Sequence, residues 1–366
     1  MRVAIVHDWL NQKVGGAENV LFELAKMYPD ADIYTLVYNK KKFQPYLKNR
    51  KIRTSSLQHY PSFMKNNPKL LLPFIKRAVE KIDLSAYELV ITSSSAWVKN
   101  VNVPKGAKHY CYCYSPARML WDSWPAYIDR MQLNSFTRFY LLRLASKLRL
   151  WDYYRSQTGI EFIAISKYVA ERIRKYYGQP SKLAYPPVGL RKIATHELKK
   201  QDYYLVLSVL SEYKNIDLAL KAFKKSGRKL IIAGDGPQLD KLKKLAGSSN
   251  NIEFRGRVDE QTKQQLLQNA RGFVFPSIED FGITMVESIA AGTAVIALKG
   301  GGAEEIIQPN QTGIFFDSPD VASLNAAIDL FEKRYKGNYS LKNEYVYKKF
   351  SQQAFSKKFG AIVDAK

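Results

Sequence analysis

Short apolar, β-branched runs alternate along this chain with stretches of helical spacing. In the first half the runs fall at residues 3–5, 33–36, 89–92, 110–113 and 162–165; in the second they fall at 204–208, 229–233, 252–255, 272–275 and 294–297. Two successive β-α-β series predict an α/β protein made of two doubly wound parallel-sheet units. The joint is expected at Tyr185-Pro186-Pro187-Val188-Gly189, because two prolines enforce extended backbone and the residues from there to Lys200 are polar and unpatterned. The reading is therefore an N-terminal domain over 1–188 and a C-terminal domain over 189–344. A final helical stretch over 345–366, spaced by Phe350, Phe355 and Phe359, crosses back to the first domain.

At 366 residues the chain exceeds one ordinary core, in keeping with two domains. No apolar run reaches a membrane span, and His7 and Asp8 interrupt the opening before a signal-peptide core forms, so a cytoplasmic location is expected. The two cysteines, Cys111 and Cys113, share one face of a strand at a spacing that disfavours a mutual disulfide. The formal charge of +24 asks for an anionic partner. Two stretches, 136–155 and 63–82, mix basic side chains with apolar stripes. The first carries Phe136, Tyr140, Leu144, Leu148 and Trp151 among Arg138, Arg143, Lys147 and Arg149. Each reads either as a core-packed helix with solvated charges or as a contact with an anionic membrane surface. Nothing in the spacing of basic or aromatic residues supports nucleic acid.

Ligands of doubly wound sheets sit at the carboxyl ends of strands, and two such domains facing each other make a cleft. The chemistry-bearing residues fall at those ends. After the first run come His7-Asp8-Trp9-Leu10 and then Gly15-Gly16-Ala17-Glu18, where paired glycines open a helix to a phosphate or sugar. In the second half, Lys214 offers a point charge for a diphosphate. Gly234-Asp235-Gly236-Pro237 makes a turn, and the backbone at Arg257 and Val258 is placed to read a base. The densest signal is Glu279-Asp280-Phe281-Gly282-Ile283-Thr284-Met285-Val286-Glu287. It predicts one carboxylate in a loop and another about two turns into a helix whose first amides suit a diphosphate, so that the two glutamates accept from sugar hydroxyls on either side. Asp30-Ala31-Asp32 imitates a metal motif but reads as a turn entering a strand. His7, His59, His109 and His196 lack zinc spacing, and no metal or other cofactor is expected.

Taken together these segments resemble the retaining glycosyltransferases of family four, which have the GT-B fold. The resemblance extends over the opening segment, Tyr112-Cys113-Tyr114-Ser115-Pro116-Ala117-Arg118 with Trp121-Asp122, Phe162 to Ser166, Tyr185 to Val188, Lys214, the Gly234 turn, and Glu279 to Glu287 with Ala291-Gly292-Thr293. It looks most like the bacterial mannosyltransferase-like branch that acts on lipid-linked saccharides for cell-surface polymers. It implies two domains across a cleft and a nucleotide-sugar donor with a lipid-linked or saccharide acceptor. It also implies work on the inner face of the cell membrane. In its terms Glu287 binds the ribose, Glu279 the donor sugar and Lys214 the diphosphate; the amides of Phe281 to Thr284 bind sugar and phosphate, while Asp8, Tyr114 and Arg118 fall on the acceptor side. Three positions depart from the family pattern: Val209 stands where Arg is usual, Tyr114 where His is common, and Ser95 near where many relatives have His. Arg118 and Lys299 are the candidate replacement cations, and a non-catalytic nucleotide-sugar-binding subunit is the alternative that these departures leave open.

Overall fold

Seven parallel strands build the first sheet in the computed structural model, which describes residues 1–11, 14–122, 134–190, 200–337 and 339–365. They are β1 (Val3–Leu10), β2 (Asp32–Tyr38), β3 (Ile52–Thr54), β4 (Leu89–Ser94), β5 (Lys108–Cys113), β6 (Glu161–Ala164) and β7 (Ser181–Leu183). Their order is β3-β2-β1-β4-β5-β6-β7. The second sheet holds β8 (Tyr204–Leu207), β9 (Leu230–Ala233), β10 (Ile252–Gly256), β11 (Gly272–Phe275), β12 (Val295–Leu298) and β13 (Gly313–Phe316), in the order β10-β9-β8-β11-β12-β13. Both orders reverse once, between β1 and β4 and between β8 and β11. Such a reversal splays the connecting loops apart and leaves a crevice at the strand ends, where doubly wound sheets bind ligands.

Ten of these strands lie where apolar runs predicted them; β3, β7 and β13 do not. Two of the three are edge strands of three residues, with mixed sequences Ile-Arg-Thr and Ser-Lys-Leu that carry no pattern long enough to read. The fold divides into two units, one of Met1–Pro187 with Phe355–Lys366 and one of Val188–Ala354. Helix Glu344–Phe350 stays in the second unit, where Phe350 packs edge-on against Phe281 at 5.5 Å. Extended Ser351 separates it from helix Gln352–Val363, whose Phe355 and Phe359 pack on Tyr112 of the first unit. The final stretch is thus two helices divided between the units, where the spacing had read as one. Of the joint, residues 191–199, including His196, lie outside the described residues.

The two basic stretches differ from expectation in instructive ways. Residues 63–82 do not form one helix. Pro68 and Pro73 lack the N–H that a continuous helix needs, and the segment divides into helix Ser62–Asn66, a 3₁₀ turn Pro68–Leu71 and helix Leu72–Glu80. Residues 136–155 do lie in one helix, Ser135–Ser156, but its stripe changes role along its length. Leu148 and Trp151 are buried with Ala145 in the first unit's core, whereas Phe136 is 82% and Phe139 59% exposed. Arg149 donates to the Leu120 carbonyl at 2.7 Å and so holds this helix in place.

Candidate active site

The strongest constellation sits at the reversal between β8 and β11. After β8 the chain makes a 3₁₀ turn, Glu212–Lys214, closed by Asn215 in a left-handed conformation with φ of 50°. Asn215 Nδ2 donates to the carbonyl of Pro276 at 3.2 Å, tying this turn to the end of β11. Lys214 is thereby set against Glu279, and the two form an ion pair. The loop after β12 supports Glu279 from behind. Gly302 N–H donates to the Glu279 carbonyl at 2.9 Å, and a Cβ at Gly302 would lie 2.1 Å from the Phe281 oxygen.

Beyond Glu279, Gly282 takes φ of 101°, reached without strain only by glycine, and caps helix Ile283–Ala290. Among the described residues the amides of Gly282, Ile283 and Thr284 meet no hydrogen-bond acceptor, and all three residues are half-buried. This helix start offers an anion a ready site. Phe281 is buried and packs the loop down, and Asp280 is half-buried beside it. Glu287 comes four residues after Ile283, just over one turn into the helix rather than two. Its carboxylate receives Lys263 Nζ at 2.8 Å from helix Glu260–Asn269. Burial raises the Glu287 pKa, opposed by Lys263. Burial of Lys263 pulls the other way, yet the carboxylates of Glu287 and Glu260 leave its pKa raised.

The neighbouring strand ends interlock. Gly234, with φ of 139°, donates from its N–H to the Gly256 oxygen at 2.7 Å, and Leu210 donates to the Asp235 oxygen at 3.0 Å. The turn therefore packs backbone to backbone on the loop leading to Lys214. Arg257 is exposed and Val258 half-buried beyond β10, and Val209 is 62% exposed. Lys299 is exposed immediately after β12.

In the first unit the corresponding reversal is organised differently. Asp8 is 3% exposed, and its carboxylate accepts from the main-chain N–H groups of Ser95, Ala96, Trp97 and Val98 at 2.5 to 3.0 Å and from the Ser95 hydroxyl at 3.0 Å. A carboxylate so saturated positions a loop and has no lone pair facing an acceptor, which corrects the expectation of direct contact. Ser95, near where many relatives have histidine, serves the same bond set. Tyr114 donates to the Ala17 carbonyl at 2.9 Å and shares a 2.7 Å bond with Ser93, whose hydroxyl also meets His7 Nδ1 at 2.9 Å. It ties the start of helix Gly16–Met27 to the sheet, and burial raises its pKa well above the ordinary value. Gly15 caps that helix, but its N–H donates to Glu18 Oε2 at 2.8 Å. The Glu18 carboxylate thus already occupies the Gly15 amide at this helix start. Arg118 opens the short helix Arg118–Trp121, half-buried. Asn215, Lys263 and Gly300 to Gly302 escaped the sequence reading; the run of three glycines directly after a strand was the available signal.

The two buried histidines predict an acid response. Burial, aided by Arg155 and Lys99, lowers His109 to about 3, and burial against the opposing charge of Asp8 lowers His7 to about 4. Both are neutral when folded and protonate near 6.5 when unfolded, so the unfolded chain binds more protons as pH falls below 6.5 and stability is lost in that direction. Urea melts at about pH 7 and pH 5 should differ by about 2 kcal/mol for each histidine. His109→Gln should abolish its share; an unchanged pH dependence would contradict a buried neutral imidazole.

Several comparisons agree with this architecture. Residues 191–351 match the family model for glycosyl transferases group 1. Sucrose-phosphate synthase from Thermosynechococcus elongatus superimposes with a TM-score of 0.74 at 16% identity, covering 100% of this chain and 99% of that one. Anabaena HepE in complex with UDP gives a TM-score of 0.69 at 16% identity over 100% of both chains. Both sheets thus belong to a GT-B protein. A GDP-mannose-dependent alpha-(1-6)-phosphatidylinositol monomannoside mannosyltransferase of Mycobacterium tuberculosis is 30% identical over 195 residues, 45% of this chain and 50% of its own. A D-rhamnosyltransferase of Pseudomonas aeruginosa is 30% identical over 132 residues, 34% of this chain and 35% of its own. The chain spans about half the length, or less, of these curated relatives. The family-model match lies in the second unit, while the likeness of fold extends over the whole chain.

Proposed function

We propose that this protein transfers a hexose, with retention of configuration, from a nucleotide-diphosphate sugar to a lipid-linked or saccharide acceptor in the assembly of cell-surface polysaccharide. The carrying observation is the Lys214–Glu279 pair beside the open amides of Gly282, Ile283 and Thr284, at the strand reversal of the second unit. There the diphosphate lies on the helix start and Lys214, Glu279 accepts from the donor sugar, and Glu287 accepts from the ribose. Gly234, Arg257 and Val258 border the nucleotide. The mannosyltransferase and rhamnosyltransferase relatives favour an enzyme over a non-catalytic binding subunit.

In the reaction the bond between the sugar's anomeric carbon and the phosphate oxygen breaks, and its electron pair leaves on the diphosphate. The acceptor oxygen bonds to the same face, and its proton passes to the departing phosphate oxygen. Lys214 and the helix amides stabilise that growing charge, a role assigned without metal. Val209 stands where a second cation is usual. Lys299 of the second unit is the group assigned to replace it. The deciding experiment is a panel of nucleotide sugars, read by calorimetry for binding and by product analysis for transfer. A protein that binds none of them overturns the reading.

The acceptor side is assigned to the first unit, docked on the cytoplasmic face of an anionic membrane. Among the described residues no helix is long and apolar enough to cross a membrane. Phe136 and Phe139 are exposed on the helix that carries exposed Arg143 and Lys147, and Phe63 and Lys69 are exposed in the segment 62–71, apolar and basic groups suited to lipid. Each basic group near such a surface contributes about 1 kcal/mol, so the double change R143Q with K147Q should weaken sedimentation with anionic liposomes about thirtyfold. Arg149 is left intact because it holds the helix. Equal recovery in the supernatant with neutral and anionic vesicles at low salt would exclude membrane docking.

A further inference from the structure

A cavity of about 460 Å³ opens at the carboxyl ends of β1 and β2 in the first unit, and none of the assignments above uses it. Asn11 and Tyr38 reach it from the strand ends, Lys40 from the start of the short helix Lys40–Phe43, and Ser62, Lys65 and Asn66 from helix Ser62–Asn66. Its walls are held by their own bonds. The Gln58 side chain accepts from Tyr38 N–H at 2.8 Å and donates to the Tyr38 carbonyl at 3.2 Å. Asn11 donates to the Lys65 carbonyl at 2.8 Å, and Lys65 Nζ donates to the Gln58 carbonyl at 3.0 Å.

The remaining polar heads are uncommitted. The Lys40 ammonium, the Tyr38 and Ser62 hydroxyls and the Asn66 amide form no hydrogen bond with a described residue. Burial raises the Tyr38 pKa, which keeps its phenol neutral and able both to donate and to accept. Amides and hydroxyls around a cavity match a ligand rich in hydroxyls, and two ammonium groups with no acidic residue among the described lining residues match one that is anionic.

We propose that this cavity binds an acidic sugar of the acceptor, one carrying a carboxylate or phosphate, with Lys40 and Lys65 on the anion and Asn66, Ser62 and Tyr38 on the hydroxyls. The proposal rests on the transferase reading for the word acceptor, but its test does not need turnover. Binding of glucuronate, glucose 6-phosphate, methyl glucoside and inorganic phosphate is measured by calorimetry on the whole chain and on the double variant K40Q with N66A. Neither altered head bonds to a described residue, so the variant should melt as the wild type does. Glucuronate or glucose 6-phosphate should bind, methyl glucoside more weakly, and the variant should lose roughly tenfold or more in affinity for the acidic sugar. The assignment is overturned if neither acidic sugar binds, if the variant binds as the wild type does, or if inorganic phosphate binds as tightly as the phosphosugar. Absence of sugar transfer in the wild type would count against the functional reading alone.

Discussion

Lys214→Ala should lower turnover by about 10²- to 10³-fold, the usual consequence of removing one preorganised group that stabilises charge on a leaving group. The effect should fall on kcat more than on the melting temperature. Lys214 is half-buried, and its removal leaves the half-buried Glu279 carboxylate with the Ser277 hydroxyl at 3.3 Å and with access to water. Glu287→Gln offers a useful contrast. It keeps the shape but removes a charged acceptor, so nucleotide affinity should fall by about 1.5–3 kcal/mol while the chemical step is less affected. Calorimetry with the nucleoside diphosphate and steady-state kinetics with its sugar separate the two. Unchanged affinity and turnover in both variants would place the donor elsewhere.

Gly234→Ala should destabilise the second unit by about 3 kcal/mol or more, combining backbone strain with overpacking. The added Cβ would lie 1.8 Å from the Ser208 carbonyl oxygen, at φ of 139°, with main chain as the obstacle. Rotation of a side chain cannot relieve that clash. Because Ser208 leads directly to the loop of Lys214, donor binding should weaken along with stability. Gly227→Ala is the control: its φ is 72° but nothing lies within 4 Å of the new Cβ, so only the conformational cost of about 1 kcal/mol applies. Equal melts for the two variants would show that the turn yields where the contact geometry says it should not.

The contrast between these two glycines also shows what was legible in the chain. Strands such as Leu230–Ala233 and Val295–Leu298 are buried along their whole length, and a buried strand writes itself as a continuous apolar run. Glu279, Gly282 and Glu287 were legible because loop, cap and helix lie within one short segment. Lys263 was not, since its approach to Glu287 depends on how one helix lies against another. The same holds for Asn215 and Gly302, whose partners Pro276 and Glu279 are distant in sequence. Asp8 was legible as a carboxylate at a strand end but not as the acceptor of four successive amides, because those amides come from a segment after β4 with no side-chain pattern of its own. Proline positions in 63–82 carried more weight than the amphipathic spacing that surrounded them.

The paired state of Glu279 carries a thermodynamic consequence for the proposed donor site. Glu279 is engaged by Lys214, so a free monosaccharide meets an acceptor whose charge is already balanced. On the proposed reading, a diphosphate would draw Lys214 toward itself and release that carboxylate to hydroxyl groups. Recognition of the sugar and recognition of the phosphate are then linked, each strengthening the other by the same factor. The site would discriminate in favour of the intact donor over either of its halves, and hydrolysis of the donor would dissolve that linkage and release both products.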